Sequence, residues 1–318
     1  MQFLSLIYLV KNQTMKKVAF IMSAGHSGSS LLSLILGSHP KVFSTGELKG
    51  LPNRYRKNLY IDCVNKNSKF WIRTFGHEGV KKLAISLSGK RVHSWIPLKL
   101  EKWLRGLISS EDPIVNPYSF MFSKISEDVI VDSSKALPWI QKRLHSREFT
   151  RRMLEPYLIY LIRDGRAVIN SYLRKYPSKD ITELSRSWAN KHLEKNFFFA
   201  EFPKEKKLEI RYEELAYDPL RVVKEICDFL AIEFQEEILN YWEYPHHDIS
   251  GNEGTYSLID RYKALSSERF EEKRDIDYYK RMGLSIKLDL RWKEELSEEK
   301  ITVFNQVAGT LNKPYEWN

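Results

Sequence analysis

The sequence predicts an α/β protein whose helices cover a central parallel sheet, and three stretches carry that prediction. Lys17 to Leu36 reads as a short apolar strand, a glycine-containing turn and the start of an amphipathic helix. Glu155 to Tyr176 repeats the pattern, with an apolar run over Tyr157 to Ile162 and helical spacing through Ala167, Val168 and Leu173. Between them, Val129 to Val131 is a third apolar run, with Asp132, Ser133, Ser134 and Lys135 at its carboxyl end. Continuous apolar runs suit strands buried on both faces. Ligands of open parallel sheets gather at the carboxyl ends of such strands.

Met1 to Thr14 reads as an upstream extension. Its apolar run, Phe3 to Val10, is shorter than the ~20 residues that cross a bilayer, and neither a basic stretch before it nor a small-residue cleavage pattern after it marks a secretory signal. Met15 is a second candidate start. Residues 15–318 are read as one domain with an insertion at 49–126, since a chain of 318 residues buries a sizeable core without needing a second domain.

In the first unit, Gly25 and Gly28 allow a tight turn and close approach of a ligand, while Ser27, Ser29 and Ser30 offer hydroxyls to cap the helix. The free N–H groups and dipole of a helix N-terminus behind such a turn form a cradle for phosphate or sulfate. A Walker A loop would put glycine at Ser23 and lysine at Ser29, and neither is present, so magnesium-nucleotide chemistry is the weaker expectation. A plain turn between core elements is the alternative. Gly37 and Pro40 end the helix. Val42 and Phe43 then lead to Glu47, a carboxylate that can take a proton from an acceptor hydroxyl or remain a solvated loop residue.

The insertion is irregular, basic and aromatic, with Tyr55, Tyr60, Phe70, Trp71, Phe75, Trp95 and Trp103, and with short helices expected around Glu78 to Leu87 and Leu98 to Ile108. A lid or acceptor-binding surface is expected here; aromatics beside cations suit sugar rings or other planar or polyanionic ligands, and packed structural aromatics are the commoner explanation. Lys49 to Ser110 carries 14 Lys/Arg against 3 Asp/Glu, which accounts for the formal charge of +10 and leaves the rest of the chain near neutral. Such a patch can steer an anionic ligand, a glycan, a lipid surface or a nucleic acid, or be a solvated face.

Further along, Lys135 is a candidate for contact with a transferring anionic group, or a surface lysine behind a helix cap. Arg163 leaves the next strand, and Ser171 follows two helical turns beyond Asp164 on the same face, near Arg166 and Arg174. A guanidinium fork with a hydroxyl suits a phosphate, and an Arg163–Asp164 ion pair is the alternative. A long helix is expected over Thr182 to Phe202 with Leu184, Trp188, Leu193 and Phe197 as its apolar side. A short strand ends at Arg211 and Tyr212, where the tyrosine either lies over a nucleotide base or fills core space. Asp218 and Pro219 open another helix. Pro245 to Ser257 is expected to be a loop that closes on a ligand. The adjacent His246 and His247 lack the helical spacing of a metal pair, so no metal is expected. A C-terminal helix follows Ser297, with Ile301, Phe304 and Val307 inward.

Together SAGHSGSSLL with its following GEL, LIRDGRAVINSYLR, RYEEL and HHDISGN resemble the sulfotransferases that use 3′-phosphoadenosine 5′-phosphosulfate, PAPS. The resemblance runs from Lys17 to the C-terminal helix and is absent or weak in the insertion. It implies a P-loop-like three-layer fold, with the loop from Gly25 through His26, Ser27, Gly28 and Ser29 to Ser30 on the donor's 5′-phosphosulfate. Arg163 and Ser171 match the family's 3′-phosphate ligands, Tyr212 lies in the segment near the adenine, and Gly251 and Asn252 belong to a late donor-side loop. Glu47 and Lys135 fall where tyrosylprotein and bacterial carbohydrate-type members place a catalytic base and a transition-state cation. His26 stands where members usually carry lysine or arginine, which makes it a third catalytic candidate. GNEGTY lacks the arginine that bacterial members tend to carry after Gly-Asn.

The expected reaction is therefore metal-free transfer of a sulfuryl group to a hydroxyl or amine, most readily of a carbohydrate, glycan-like or other anionic acceptor. Two other classes share parts of the pattern: a P-loop kinase shares the first loop, and a non-enzymatic anion or nucleic-acid binder would explain the basic segment. No specific nucleic acid and no transmembrane segment are expected. Cys63 and Cys227 are the only cysteines and are far apart, which fits a reducing compartment and a cytoplasmic enzyme.

Overall fold

Every side chain from Val18 to Met22 is fully buried, so this run can only sit inside the sheet. The computed structural model describes residues 15–57, 69–88, 116–262 and 283–317. Five strands, β1 (Lys17–Ser23), β2 (Val42–Ser44), β3 (Val129–Lys135), β4 (Glu155–Ile162) and β5 (Lys207–Arg211), form one sheet in the order β2-β3-β1-β4-β5. All four pairings are parallel. The carboxyl ends of β1, β3 and β4 therefore open on the same edge, at Ser23, Lys135 and Ile162.

Alternation along β1 builds the three layers. Ala19 and Ile21 point to one face and pack with α1 (Ser29–Gly37) and α9 (Pro219–Leu230) through Leu32, Ile35, Ile226 and Leu230. Val18, Phe20 and Met22 point to the other face. They meet α3 (Phe70–Ser88), α4 (Pro117–Phe122) and α5 (Leu137–Leu144) through Trp71, Leu83, Tyr118 and Ile140. α2 (Leu51–Arg56) adds Leu51 to the second face, α8 (Tyr212–Tyr217) and α10 (Glu253–Tyr262) add Leu215 and Tyr256 to the first, and α6 (Gly165–Lys175), α7 (Ile181–Glu201) and α11 (Glu298–Asn312) pack on one another through Val168, Trp188 and Phe304. Among the described residues no helix is long and apolar enough to cross a membrane.

Several expectations need correction. Of the two readings of the insertion's aromatics, packing holds for Trp71 and Phe75, which are buried against Phe43 with their own centroids 5.0 Å apart. Gly76, at φ 72° and ψ 160°, breaks α3 so that the expected helix at Glu78 to Leu87 is its second half. In α7, Leu193 and Phe197 are 42% and 67% exposed, whereas Ser185, Trp188, Ala189, His192 and Lys195 are buried. Trp188 meets Phe304 of α11 at 5.7 Å and fixes the helix rotation. Glu253 to Ser257, expected in a loop, begins α10. The extension 1–14, Tyr60, Cys63, Trp95, Trp103 and the helix expected at Leu98 to Ile108 lie outside the described residues.

Candidate active site

The β1–α1 turn is the first wall of the site. Gly28, at φ 83°, is the residue before α1, and a Cβ there would run into the Tyr212 ring. A Cβ at Gly25 would meet the Tyr172 hydroxyl. His26 also takes a positive φ of 62°, a cost of about a kcal/mol that its surroundings must hold in place. No serine side chain caps α1, contrary to expectation. Ser30 Oγ instead accepts the Asn252 N–H at 2.8 Å, and Ser27 Oγ is buried with no hydrogen-bond partner among the described residues.

The second wall carries the acid–base candidates. Lys135 Nζ donates to Glu47 Oε1, and Lys49 Nζ lies 3.8 Å from Oε2. Both partners of the first pair are held from behind. Lys135, at φ 64°, follows a turn organised by buried Asp132, which accepts from Tyr118 Oη at 2.7 Å, Trp139 Nε1 at 2.8 Å and the Ser134 N–H at 2.9 Å. Glu47 is held by its own N–H, which donates to the Ser250 carbonyl at 2.8 Å. That loop is anchored by buried Asp248, which accepts from Ser44 Oγ at 2.7 Å and Tyr256 Oη at 3.1 Å. Local sequence offers no hint that Glu47 meets Ser250 or that Ser44 meets Asp248, because these bonds join segments distant in the chain.

Arg163 forms the third wall. It is buried at the end of β4, donates from Nη1 to the His26 carbonyl at 2.9 Å and lies 4.4 Å from the Tyr212 ring centroid. Its Nη2 meets the Asp289 carbonyl at 2.9 Å and Asp289 Oδ2 at 3.2 Å, while Nε has no partner among the described residues. The alternative Arg163–Asp164 pair does not form. Arg166 takes Asp164 instead, at 2.7 Å, and stacks on Trp292 at 4.1 Å, so it is structural and not part of the expected phosphate clamp.

These walls bound two cavities. The larger, about 480 Å³, is lined by Gly25, Ser27, Glu47, Lys135 and Arg163, together with Lys49, Tyr160, Tyr172, Trp188, Lys191 and Lys195. The smaller, about 130 Å³, is lined by His26, Gly28, Arg163, Ser171, Tyr212 and Asn252, with Lys287, Asp289 and Arg291. Arg163 is common to both. Gly251, Ser29 and Ser30 line neither: Gly251 lies tight against Tyr256 and Ser30, and the Asn252 side chain accepts the Gly254 N–H at 2.8 Å. From the basic insertion, Lys49 alone among the described residues reaches the larger cavity. Sequence reasoning missed Lys191 and Lys195, whose signal is a polar stripe on the buried face of α7. It also missed Asp289 and Arg291 just before Trp292.

Charge in the site follows from this packing. Desolvation, followed by the cations Lys175, Lys135, Arg163 and Arg174, pushes the His26 pKa down to about 4, so the ring is neutral at pH 7. A neutral ring offers a hydrogen bond and not a full positive charge. Burial opposes ionisation of Asp289, but hydrogen bonds from Arg291 and the charges of Arg163 and Arg291 hold it well below the usual carboxylate range. Burial and Lys191 push Lys195 down to about 8.

A parallel sheet, a glycine loop at its carboxyl edge and an ion-paired carboxylate in the adjoining cavity define a group-transfer enzyme with a P-loop-like fold. Residues 155–236 match the family model described as the sulfotransferase family. Over 246 residues the chain is 24% identical to a putative protein-tyrosine sulfotransferase of Caenorhabditis briggsae, covering 75% of this chain and 72% of that one. The sulfotransferase domain of the Synechococcus PCC 7002 olefin synthase shares the fold at a TM-score of 0.53 and 20% identity, over 97% of this chain and 98% of that one. The sulfotransferase domain from the curacin biosynthetic pathway gives 0.50 and 20%, over 96% and 100%. The chain thus resembles sulfotransferases in the sequence of its β4-to-α9 region and in its fold.

Proposed function

We propose that the chain transfers a sulfuryl group from PAPS to the hydroxyl, or amine, of a carbohydrate or glycan-like acceptor, with residues 15–318 acting as one catalytic domain. The observation that carries this reading is the position of Arg163 between the two cavities: it faces Glu47 and Lys135 on one side and Ser171 and Tyr212 on the other. The cradle fits an anion. Its N–H groups head α1, Ser27 Oγ and Arg163 Nε are buried and unsatisfied among the described residues, and Gly25 and Gly28 leave no room for a side chain.

When bound, the donor supplies a sulfuryl group on a good leaving phosphate. Glu47 takes the proton of the acceptor hydroxyl as its oxygen bonds to sulfur, and the S–O bond to the phosphate breaks. Lys135 and the loop N–H groups offset the charge that grows on the sulfuryl and departing oxygens. His26, neutral at pH 7, acts as a hydrogen-bond donor or shapes the loop. Arg163, Ser171 and Tyr212 hold the 3′-phosphate and adenine end, with Asn252 and Gly251 closing behind Ser30.

Calorimetric titration tests the donor assignment. Adenosine 3′,5′-bisphosphate is expected to bind well ahead of 5′-AMP and ATP, and Arg163→Ala to weaken it by about 100-fold, the scale of a lost buried charged bond. Equal or better ATP binding would move the chain to phosphoryl transfer. The tyrosine-sulfotransferase relative supports a second acceptor reading, favoured by Tyr160, Tyr172 and Trp188 around the larger cavity, which suit a phenol ring. Labelled donor with paired sugar and phenol acceptors separates the two.

A further inference from the structure

We infer that Lys195 and Lys191 of α7 form a subsite for an anionic group on the acceptor, remote from the hydroxyl that reacts at Glu47. The inference rests on the sulfotransferase reading and specifies what its larger cavity admits.

Lys195 is only 7% exposed, yet it lines the cavity. Its ammonium has one weak contact, the Lys191 carbonyl at 3.5 Å, and forms no ion pair among the described residues. A buried ammonium without a carboxylate is costly unless an incoming group supplies the charge. Nothing in the packing explains it as a core residue: Trp188 and His192, stacked at 4.8 Å, already fill the neighbouring turn. His192 Nδ1 is engaged by Tyr160 Oη at 2.8 Å. Lys191, one turn earlier, is exposed and lines the same cavity, which places it on the rim. Burial and then Lys191 depress the Lys195 pKa to about 8, against a smaller opposing pull from Glu194.

The charge count of the cavity leads to the same place. Lys49, Lys135, Arg163, Lys191 and Lys195 line it against the single carboxylate of Glu47. Lys49 and Lys135 both sit on Glu47, and Arg163 is shared with the donor side. Lys191 and Lys195 are left over. They match one anionic group, such as a carboxylate, carried by the acceptor, with the aromatic wall of Tyr160 and Trp188 beside it.

The test uses the full chain loaded with adenosine 3′,5′-bisphosphate and two matched probe pairs: 4-hydroxyphenylacetate with its amide, and methyl β-glucuronide with methyl β-glucoside. In calorimetry at least one acid is expected to bind about tenfold more tightly than its neutral partner, the scale of a charge-assisted bond. Which pair shows the preference identifies a phenolic or a sugar body. Lys195→Met is expected to bring acid and neutral probe within about twofold, Lys195→Arg to restore the preference, and both to leave bisphosphate affinity unchanged. The exposed Lys191→Met is expected to weaken the same preference and guards against a folding defect at Lys195. No preference for either acid, or a preference that survives both methionine variants, overturns the subsite. Failure of the sulfotransferase reading shows separately, as loss of bisphosphate binding in the unmodified chain.

Discussion

The two cavities meet at Arg163 but are charged differently. In the smaller, Arg163 and Arg291 share one carboxylate, with Lys287 beside them: Asp289 Oδ2 lies 3.2 Å from Arg163, and Asp289 Oδ1 accepts from Arg291 Nε at 2.8 Å. In the larger, five cations face one carboxylate. A donor that enters the smaller cavity must compete with Asp289 for Arg163, whereas an anionic acceptor entering the larger one finds charge unspent. Under the proposed sulfuryl transfer, the first arrangement would favour release after turnover, and the second would favour selection of a substrate by its charge.

Breaking the larger cavity at its centre is expected to have the largest effect. Glu47→Gln keeps the shape and the contact with Lys135 but cannot take a proton. In the sulfuryl-transfer reading kcat falls by about 10²- to 10⁴-fold. Bisphosphate affinity, read by calorimetry, stays within about threefold of the unmodified chain because the donor end is untouched. A variant that retains its rate would transfer the base role elsewhere.

The smaller cavity is expected to respond in the opposite sense. Asp289→Asn removes the carboxylate that competes for Arg163, so bisphosphate should bind about three- to tenfold more tightly, with slower release in stopped-flow displacement. Weaker binding would show that Asp289 orients the guanidinium and does not compete with the ligand.

Acid stability compares the two sites with a smaller effect. His26, beside the smaller cavity, and His192, on the larger, are each pushed down to about 4, His26 by desolvation and the surrounding cations and His192 by desolvation and Lys195. Unfolded, each has the ordinary histidine value of 6.5, so between pH 4 and 6.5 the unfolded chain binds more protons. Stability is therefore complete above pH 6.5 and declines as pH falls toward 4. Thermal melts across this range should show a shallower decline for His192→Gln than for the unmodified chain. An unchanged slope would mean that His192 is not held neutral in the folded state.

Much of this was legible in the sequence, for local reasons. The runs at Val18 to Met22, Val129 to Val131 and Tyr157 to Ile162 became β1, β3 and β4, because a strand buried on both faces needs every residue apolar. Glu47 and Lys135 sit beside one another because both follow strands whose carboxyl ends share an edge. What stayed hidden depended on helix rotation and distant partners. Leu193 and Phe197 look inward by composition, but Trp188 on Phe304 turns α7 so that His192 and Lys195 are buried and those two are not. Trp71 and Phe75, aromatics of a basic segment that the sequence leaves open between ligand binding and packing, are core, and composition alone does not choose between the two.

By itself, then, the sequence determined the parallel α/β frame, the glycine turn at Gly25 to Ser30 and the strand-end positions of Glu47, Lys135 and Arg163. These follow from side-chain periodicity and from backbone geometry within a few residues. Tertiary structure alone decided that Asp289 closes on Arg163, that Asp248 holds the Glu47 loop, that Arg166 belongs to Asp164 and that Lys195 faces a cavity with no ion pair among the described residues. Each of these joins groups by charge or hydrogen bonding across space, and such pairing depends on which surfaces the packed core brings together and carries no local period for the sequence to display.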